Sequence, residues 1–204
     1  MSRTGWRIAG GGLGAAALAT TALLAAQSPA KTPAEGATGP FTLASTDISP
    51  GGTIANRQVF NGFGCNGGNV SPALSWSNPP AGTKSFALLM HDPDAPSGSG
   101  WWHWVVYNIP AGVSSLPAGA GAGAGDPDKG VLPAGAVQGR TDFGAPGYGG
   151  PCPPPGTAHH YYLRLYALKV PKLDVPADAT AAFIGFTVRA HSLAKAELMG
   201  LYGR

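Results

Sequence analysis

Apolar and polar residues alternate in several short runs of the chain, and glycine, proline, asparagine or serine bounds each run. A period of two is typical of β-strands, because successive side chains of a strand point to opposite faces. In the last run both alternating sets are apolar, which predicts a strand buried on both faces. The pattern predicts a mainly β protein with strands over residues 41–45, 57–60, 73–76, 84–91, 102–109 and 161–170.

The C-terminal region changes period. Five apolar residues there are spaced as on one face of a helix: Ala190, Leu193, Ala194, Leu198 and Leu201. A preceding helix is expected over residues 180–189, with Thr180 or Asp178 near its N-cap. Strands followed by helices predict a two-sheet β-sandwich with two C-terminal helices packed at one end.

Composition agrees with one domain of short strands and many turns. The chain has 204 residues, with 32 Gly, 20 Pro and only 11% charged residues, which does not suit a bundle of long helices. Between residues 114 and 130 lies a Gly/Ala tract, Gly119 to Gly125, that has no apolar period. Such a tract predicts a flexible surface loop that interrupts the domain without dividing it.

The N-terminus has the layout of a secretory signal peptide. Arg3 and Arg7 precede a run rich in Ala, Gly and Leu, and small residues follow it. We predict a signal peptide over residues 1–30, cleaved after Ala26 or Ala30. The protein is therefore expected to be secreted or periplasmic.

The alternative for this leader is an uncleaved membrane anchor, since about 20 apolar residues are enough to span a bilayer. The run is poor in Ile, Val and Phe, which favours cleavage and leaves no integral membrane segment. No Cys follows the run, so a lipoprotein anchor is not indicated. Residues 31–40 are expected to form a flexible linker and residues 41–204 the folded domain.

Net charge does not indicate a polyanionic partner. The formal charge is +3, but two of the 13 basic residues lie in the leader. From Lys31 onward there are 11 basic and 10 acidic residues, a balance of +1. We therefore expect no binding to nucleic acid or to anionic membrane through a basic patch.

One candidate stretch follows the predicted strand over residues 84–91. In Asp92-Pro93-Asp94-Ala95-Pro96 the prolines fix two φ angles, so the carboxylates leave the strand in a defined direction. Asp92 is well placed to orient an imidazole, and His103 follows nearby. The alternative is structural, because Asp-Pro is a common turn former and a histidine among aromatic residues is often a hydrogen-bonded core residue.

A second candidate stretch is the Gly/Pro-rich loop from Gly150 to Gly156, which His159, His160 and Tyr161 follow. The two histidines alternate between the faces of a strand, so at most one of them points into a given pocket.

These motifs resemble the phosphatidylethanolamine-binding protein family, in the bacterial branch related to Raf kinase inhibitor proteins. The resemblance extends from about Phe41 to the C-terminus, and no single motif is specific without the others. The matching blocks are residues 64–76, 92–96, 102–110, 150–156, 159–161 and 191–194.

The resemblance implies a large central sheet, a smaller sheet packed on it and C-terminal helices near a pocket. It also implies a set of ligand-binding residues. In this family's pattern His159 is the pocket histidine, and His160 stands where an arginine is usual. This chain has only Thr157-Ala158 before His159, one residue fewer than the usual pattern. The implied ligand-binding residues are Asp92, His103, Tyr148, Gly150, Cys152, Pro154, His159 and Tyr161.

The resemblance implies a binding protein that holds a phosphate or a phospholipid headgroup in a preformed pocket. Two imidazoles, a phenol and free backbone N–H groups would supply donors without Lys or Arg. We expect no cofactor, no metal and no catalytic residue. One alternative is an inhibitor-type interaction module acting on a kinase or protease.

A metal-assisted hydrolase is a weaker alternative. Asp92, His103 and His159 would suffice as zinc ligands, but no closely spaced His pair supports such a site. A serine hydrolase is not indicated, because the chain lacks a Gly-x-Ser-x-Gly motif.

The two cysteines, Cys65 and Cys152, lie in Gly-rich loops that the resemblance places around the same pocket. Because the leader implies an oxidising compartment, we expect them to form a disulfide. The alternative is two free thiols, since sequence alone does not set their separation.

Overall fold

The structure is a computed structural model that describes residues 39–122 and 131–204. The predicted signal peptide and nearly all of the linker lie outside these residues and stay predictions. In the described ranges no helix is long and apolar enough to span a bilayer. The elements in chain order are β1 (Thr42–Ala44), β2 (Asn61–Gly62), β3 (Cys65–Asn66), β4 (Leu74–Ser77), β5 (Ser85–Asp92), β6 (Trp101–Pro110), β7 (Ser115–Leu116), β8 (Val137–Gln138), β9 (His159–Leu168), α1 (Ala181–His191) and β10 (Ser192–Tyr202).

The predicted mainly β fold is confirmed. The largest sheet has the order β10-β9-β5-β6-β8, and every neighbouring pair in it is antiparallel. A three-stranded sheet has the order β1-β4-β7, and β2 pairs with β3. Strands β5, β6 and β9 are the long central strands, as their apolar runs predict.

The large sheet has a buried core on each face because alternate residues of its central strands are apolar on both sides. On one face Met90 and Leu163 belong to a cluster that includes Trp76 of the small sheet. On the other face Leu89 and Tyr166 belong to a cluster with residues of α1. Strand β9 therefore contributes buried side chains to both faces, as its sequence predicts.

Helix α1 covers the second face. The Thr180 side chain accepts a hydrogen bond from the Phe183 N–H and caps the helix, so Thr180 is the cap. Ala181, Ile184 and Val188 form its buried stripe. The helix predicted over residues 180–189 is thus confirmed within two residues.

The second predicted C-terminal helix is wrong, because residues 192–202 form β10. This strand pairs along β9, with Leu198 opposite Leu163. Buried Ala196 and Leu198 alternate with exposed Lys195 and Glu197, which is a period of two. Pairing with β10 satisfies the backbone N–H and C=O groups of β9 that would otherwise form an open sheet edge. This stabilisation outweighs the helical spacing of the apolar residues, which had predicted a helix.

The strand predicted over residues 57–60 is also wrong. Its backbone makes turns, in which the Gln58 N–H donates to the Ala55 carbonyl and the Val59 N–H to the Asn56 carbonyl. Gln58 and Val59 are buried, so the apolar pattern of residues 57–60 reflects the burial of their side chains and does not indicate a β-strand.

The Gly/Ala tract is not a surface loop where the structure describes it. Ala120 is buried, and the Gly121 N–H donates to the Ser71 hydroxyl over 3.0 Å. A Cβ atom on Gly121 would lie 2.4 Å from the Trp104 ring, so this glycine permits a close approach of backbone to indole. The rest of the tract, from residue 123, lies outside the described residues.

Replacing Gly121 with alanine should therefore destabilise the protein by about 1–3 kcal/mol, because the added methyl overlaps a fully buried ring. Gly112→Ala is the matched control, since no atom lies within 4 Å of a Cβ at that position. Urea unfolding of both variants measures the difference. Equal stabilities would contradict the packing described for Gly121.

Candidate functional site

A cavity of about 240 Å³ lies where the end of β5, the start of β6 and the start of β9 meet three loops. Its titratable lining side chains are Asp92, His103, His159 and Tyr161, so the structure brings together four residues that the sequence predicted. The rest of the lining is mostly apolar: Phe63, Ala95, Pro96, Ser97, Trp101, Phe143, Cys152, Pro153 and Pro154.

The buried carboxylate of Asp92 organises the polar part of the cavity. Its Oδ1 accepts hydrogen bonds from the Asp94 N–H at 2.8 Å and the Ala95 N–H at 3.1 Å. Its Oδ2 lies 2.8 Å from His159 Nδ1. Because a carboxylate only accepts, His159 donates from Nδ1, which fixes the orientation of its ring.

His103 is held in a defined tautomer. Its Nδ1 lies 2.7 Å from the Gly149 carbonyl, so Nδ1 carries a proton. Burial lowers the pKa of His103 from 6.5 to about 4, although the Gly149 carbonyl and the Asp92 charge act in the opposite direction. The ring is therefore neutral at neutral pH, and its Nε2 is a hydrogen-bond acceptor.

Tyr161 brings an unsatisfied donor to the cavity. The residue is fully buried, and its hydroxyl makes no hydrogen bond of normal geometry with the described residues. Burial, then the nearby Asp92 charge, then a strained hydrogen-bond contact with the Asp92 carboxylate raise the pKa of Tyr161 well above its ordinary value, so the hydroxyl keeps its proton. An orphaned hydroxyl in a cavity wall is a group that a ligand can satisfy.

Three aromatic side chains that sequence reasoning missed complete the lining. Phe63 and Phe143 stack with centroids 5.9 Å apart, and Trp101 meets Phe143 edge-on at 5.5 Å. Phe63 is 65% exposed, so this side of the cavity presents aromatic surface to solvent. Trp101 could have been found, since it lies two residues before His103 on the same strand.

The loop that begins at Gly150 gives the cavity an apolar wall and few donors. The Gly150 N–H already donates to Asn69 Oδ1 over 2.8 Å, and Pro153 and Pro154 have no N–H. Cys152 and Pro154 line the cavity as predicted, but Gly150 does not. The expected set of free backbone donors in this loop is therefore largely absent from the described structure.

Tyr148, which the resemblance implied as a ligand-binding residue, does not line the cavity. It is fully buried, its ring meets Trp104 edge-on, and its hydroxyl donates to the Gln58 carbonyl over 2.9 Å. The side chain packs in the core because this contact satisfies its only polar atom.

His159 and His160 lie on opposite faces of β9, as the strand period predicts. His159 reaches Asp92 despite the short connection before it, whereas His160 Nδ1 lies 2.7 Å from Asp94 Oδ2 at the surface.

In the described ranges there is no group of three or more His, Cys, Asp or Glu arranged to hold a metal ion.

Two crosslinks hold the loops that carry the apolar wall. A disulfide joins Cys65 to Cys152, which are 87 residues apart in sequence. The Arg204 guanidinium donates from Nε to the Pro153 carbonyl at 2.6 Å and from Nη2 to the Phe63 carbonyl at 3.2 Å. Arg204 thus bridges the same two loops as the disulfide.

Comparison with known proteins places the chain in a family. The family model described as phosphatidylethanolamine-binding protein matches residues 44–203. The chain belongs to this family. It is 50% identical to the UPF0098 protein YbcL of Escherichia coli K12 over 163 residues, which are 79% of this chain and 87% of YbcL. The YbhB protein of the same organism is 47% identical over 160 residues, 78% of this chain and 98% of YbhB.

Solved structures agree with this assignment to the phosphatidylethanolamine-binding protein family. Escherichia coli YbcL, described as a new member of the mammalian family, aligns with a TM-score of 0.76 at 50% identity, covering 80% of this chain and 98% of YbcL. The homologue CT736 from Chlamydia trachomatis aligns with a TM-score of 0.66 at 34% identity, covering 80% and 97% of the two chains. LppC of Mycobacterium tuberculosis, which carries a lipoprotein name, is 37% identical over 174 residues, 85% of this chain and 77% of LppC.

The buried neutral His103 predicts a loss of stability in acid. Its folded pKa is depressed, so between pH 6.5 and about 4 the unfolded chain binds a proton that the folded protein excludes. Stability should fall by roughly 3 kcal/mol over this range from His103 alone.

Urea unfolding at pH 7 and pH 4 measures this effect against His103→Gln, which should lose less stability than the parent protein. His160→Gln removes an exposed histidine and should retain the full dependence. An identical pH dependence in the parent and in His103→Gln would show that His103 is not buried in its neutral form.

Proposed function

We propose that this member of the phosphatidylethanolamine-binding protein family binds a phosphate-type anion in the cavity and does not turn it over. The observation that carries the proposal is the buried Tyr161 hydroxyl, which lies close to the Asp92 carboxylate but makes no well-formed hydrogen bond with any described residue. Leaving a buried hydroxyl unsatisfied costs about 1–3 kcal/mol, and an anionic oxygen is the acceptor that best recovers this cost.

The neighbouring polar groups are held in fixed positions around a small ligand. The imidazole of His159 is fixed by Asp92, so its Nε2 is available to a ligand in the cavity that it lines. The site is preformed, because the donors of the Asp92 loop and the Gly149 carbonyl hold the two imidazoles before any ligand arrives. Preorganisation reduces the entropy lost on binding.

The proposal of binding without turnover rests on how the polar groups are engaged. Both carboxylate oxygens of Asp92 accept hydrogen bonds within the protein. The serine that lines the cavity, Ser97, donates its hydroxyl to the Gly100 carbonyl and makes no hydrogen bond with His159. The Cys152 sulfur that lines the cavity is part of the disulfide and is not a free thiol.

Tyr161→Phe should abolish most of the phosphate binding. Removing one hydrogen bond to an anion should weaken phosphate affinity by about 10–100-fold, because such bonds contribute about 1.5–3 kcal/mol. The rise in melting temperature with added phosphate reports the affinity. Tyr162→Phe is the matched control, since this neighbour stacks on His160 and Arg164 outside the cavity. Undiminished stabilisation of Tyr161→Phe by phosphate would remove Tyr161 from the site.

We also propose that the protein works outside the cytoplasm. The leader has the order of a cleaved signal peptide, and the disulfide suits an oxidising compartment. LppC, the relative with a lipoprotein name, supports an association with the cell envelope. In this chain the first cysteine is Cys65, so the leader offers no cysteine for lipid attachment.

Intact mass spectrometry of unreduced protein taken from its native compartment tests this proposal. The mass should correspond to a chain starting after Ala26 or Ala30, without lipid and with one disulfide between Cys65 and Cys152. Alkylation before and after reduction supplies the control for the disulfide. A full-length mass with two alkylatable thiols would contradict the proposed location.

A further inference from the structure

The hairpin of residues 61–66 forms one side of the cavity but contributes little to the core. Its two short strands, β2 and β3, are joined by Phe63 and Gly64, and none of its side chains is buried. Phe63 is the hairpin residue that lines the cavity. A two-stranded hairpin without a buried face is at best marginally stable in water, so this one depends on its attachments to the rest of the protein.

The loop of the hairpin is unfavourable by itself. Phe63 has a φ of 53° and Gly64 a φ of 85°, and a two-residue type I′ loop needs positive φ at both positions. Glycine adopts this region readily, whereas a bulky residue such as phenylalanine rarely does. Contacts from outside the hairpin must therefore hold Phe63 in its place beside the cavity.

The disulfide between Cys65 and Cys152 is the strongest of these attachments, because it is covalent. The weaker attachments are noncovalent contacts near the surface: Arg204 Nη2 with the Phe63 carbonyl at 3.2 Å, Asn56 Nδ2 with the Asn66 carbonyl at 3.3 Å, and the Phe63 ring with the Phe143 ring at 5.9 Å between centroids. Exposed contacts of this kind stabilise a structure only weakly. The position of the hairpin therefore depends mainly on the disulfide.

The base of the hairpin and the proline-rich loop opposite it are held independently of the disulfide. The Phe60 N–H donates to the Pro151 carbonyl and the Gly67 N–H to the Phe60 carbonyl, each over 3.0 Å. In the opposite loop the Gly156 N–H donates to the Arg204 carbonyl over 2.9 Å. Breaking the disulfide should therefore release the hairpin, while its base and the opposite loop keep their positions.

The disulfide lies outside the core, where a thiol can reach it. Cys65 and Cys152 are both half-buried, and Cys152 lines the cavity. A dithiol reductant supplies the two electrons: its thiolate attacks one sulfur, and the other sulfur leaves as a thiolate and takes a proton. The second thiol of the reductant then resolves the mixed disulfide. The products are two cysteine thiols and the disulfide form of the reductant.

We infer that the hairpin of residues 61–66 is a redox-controlled gate of the cavity. The Cys65–Cys152 disulfide holds the gate closed with Phe63 against Phe143, and reduction by a dithiol releases the hairpin and opens the cavity. This inference rests on the proposed function, since it regulates access to the same site, and it does not depend on which ligand the site holds.

Amide hydrogen exchange measured by NMR, with and without dithiothreitol, follows the hairpin directly. On reduction the hydrogen-bonded amides of β2 and β3 should exchange at least about tenfold faster, since the loss of a crosslink removes a constraint worth at least that factor. The amides of Phe60, Gly67 and Gly156 should keep their rates, because their hydrogen bonds do not depend on the disulfide. Alkylation and mass spectrometry establish that two thiols have formed.

Modification of His159 by diethyl pyrocarbonate measures access to the cavity. The His159 side chain lines the cavity and is 13% exposed, whereas the neighbouring His160 is 45% exposed and is the internal control. In the double variant Cys65→Ser with Cys152→Ser, which has neither disulfide nor thiols, His159 should react at least about threefold faster than in the oxidised parent protein. His160 should react at the same rate in both proteins.

Several results would overturn the gate. These are unchanged exchange in β2 and β3 once both thiols have formed, and equal reactivity of His159 in the two proteins. Unfolding of the whole protein on reduction would also do so, as would a disulfide that dithiothreitol reduces only in urea. If the double variant does not fold, exchange in the reduced parent protein decides. Neither measurement uses an anion, so failure of the gate is distinct from failure of phosphate to raise the melting temperature, which would count against the proposed function.

Discussion

The carboxylate of Asp92 is the constraint on which the rest of the site depends. It is buried at the end of β5, where two N–H groups of the following turn and the Nδ1–H of His159 surround it. A buried carboxylate that lacks such donors is costly, so the turn and the histidine must keep their positions. The same contacts that stabilise Asp92 therefore fix one wall of the cavity.

Desolvation keeps the remaining polar groups of the cavity in their neutral forms. His103 and Tyr161 lie within the protein interior, where burial disfavours the imidazolium and the phenolate alike. The cavity thus combines one buried anion with neutral hydrogen-bonding groups and aromatic surface. This combination differs from a phosphate site built on Lys and Arg, which attracts anions by charge.

Much of this arrangement follows from the sequence. The alternation in β5, β6 and β9 predicts the central sheet, and the motif resemblance identifies Asp92, His103, His159 and Tyr161 before any geometry is known. Two features required the tertiary structure. Residues 192–202 form a strand because β9 needs a partner, and a helical spacing of their apolar residues does not reveal that need. The aromatic wall combines Trp101, at the start of β6, with Phe63 and Phe143 from two distant loops, and no local pattern relates these two phenylalanines to the strand.

The central claim is that an anion occupies the cavity between Tyr161 and His103. A crystal structure of the protein grown with inorganic phosphate tests it most directly. The account predicts the phosphate within hydrogen-bond distance of the Tyr161 hydroxyl. Clear density for the ligand at another site, with this cavity empty of it, would contradict the account.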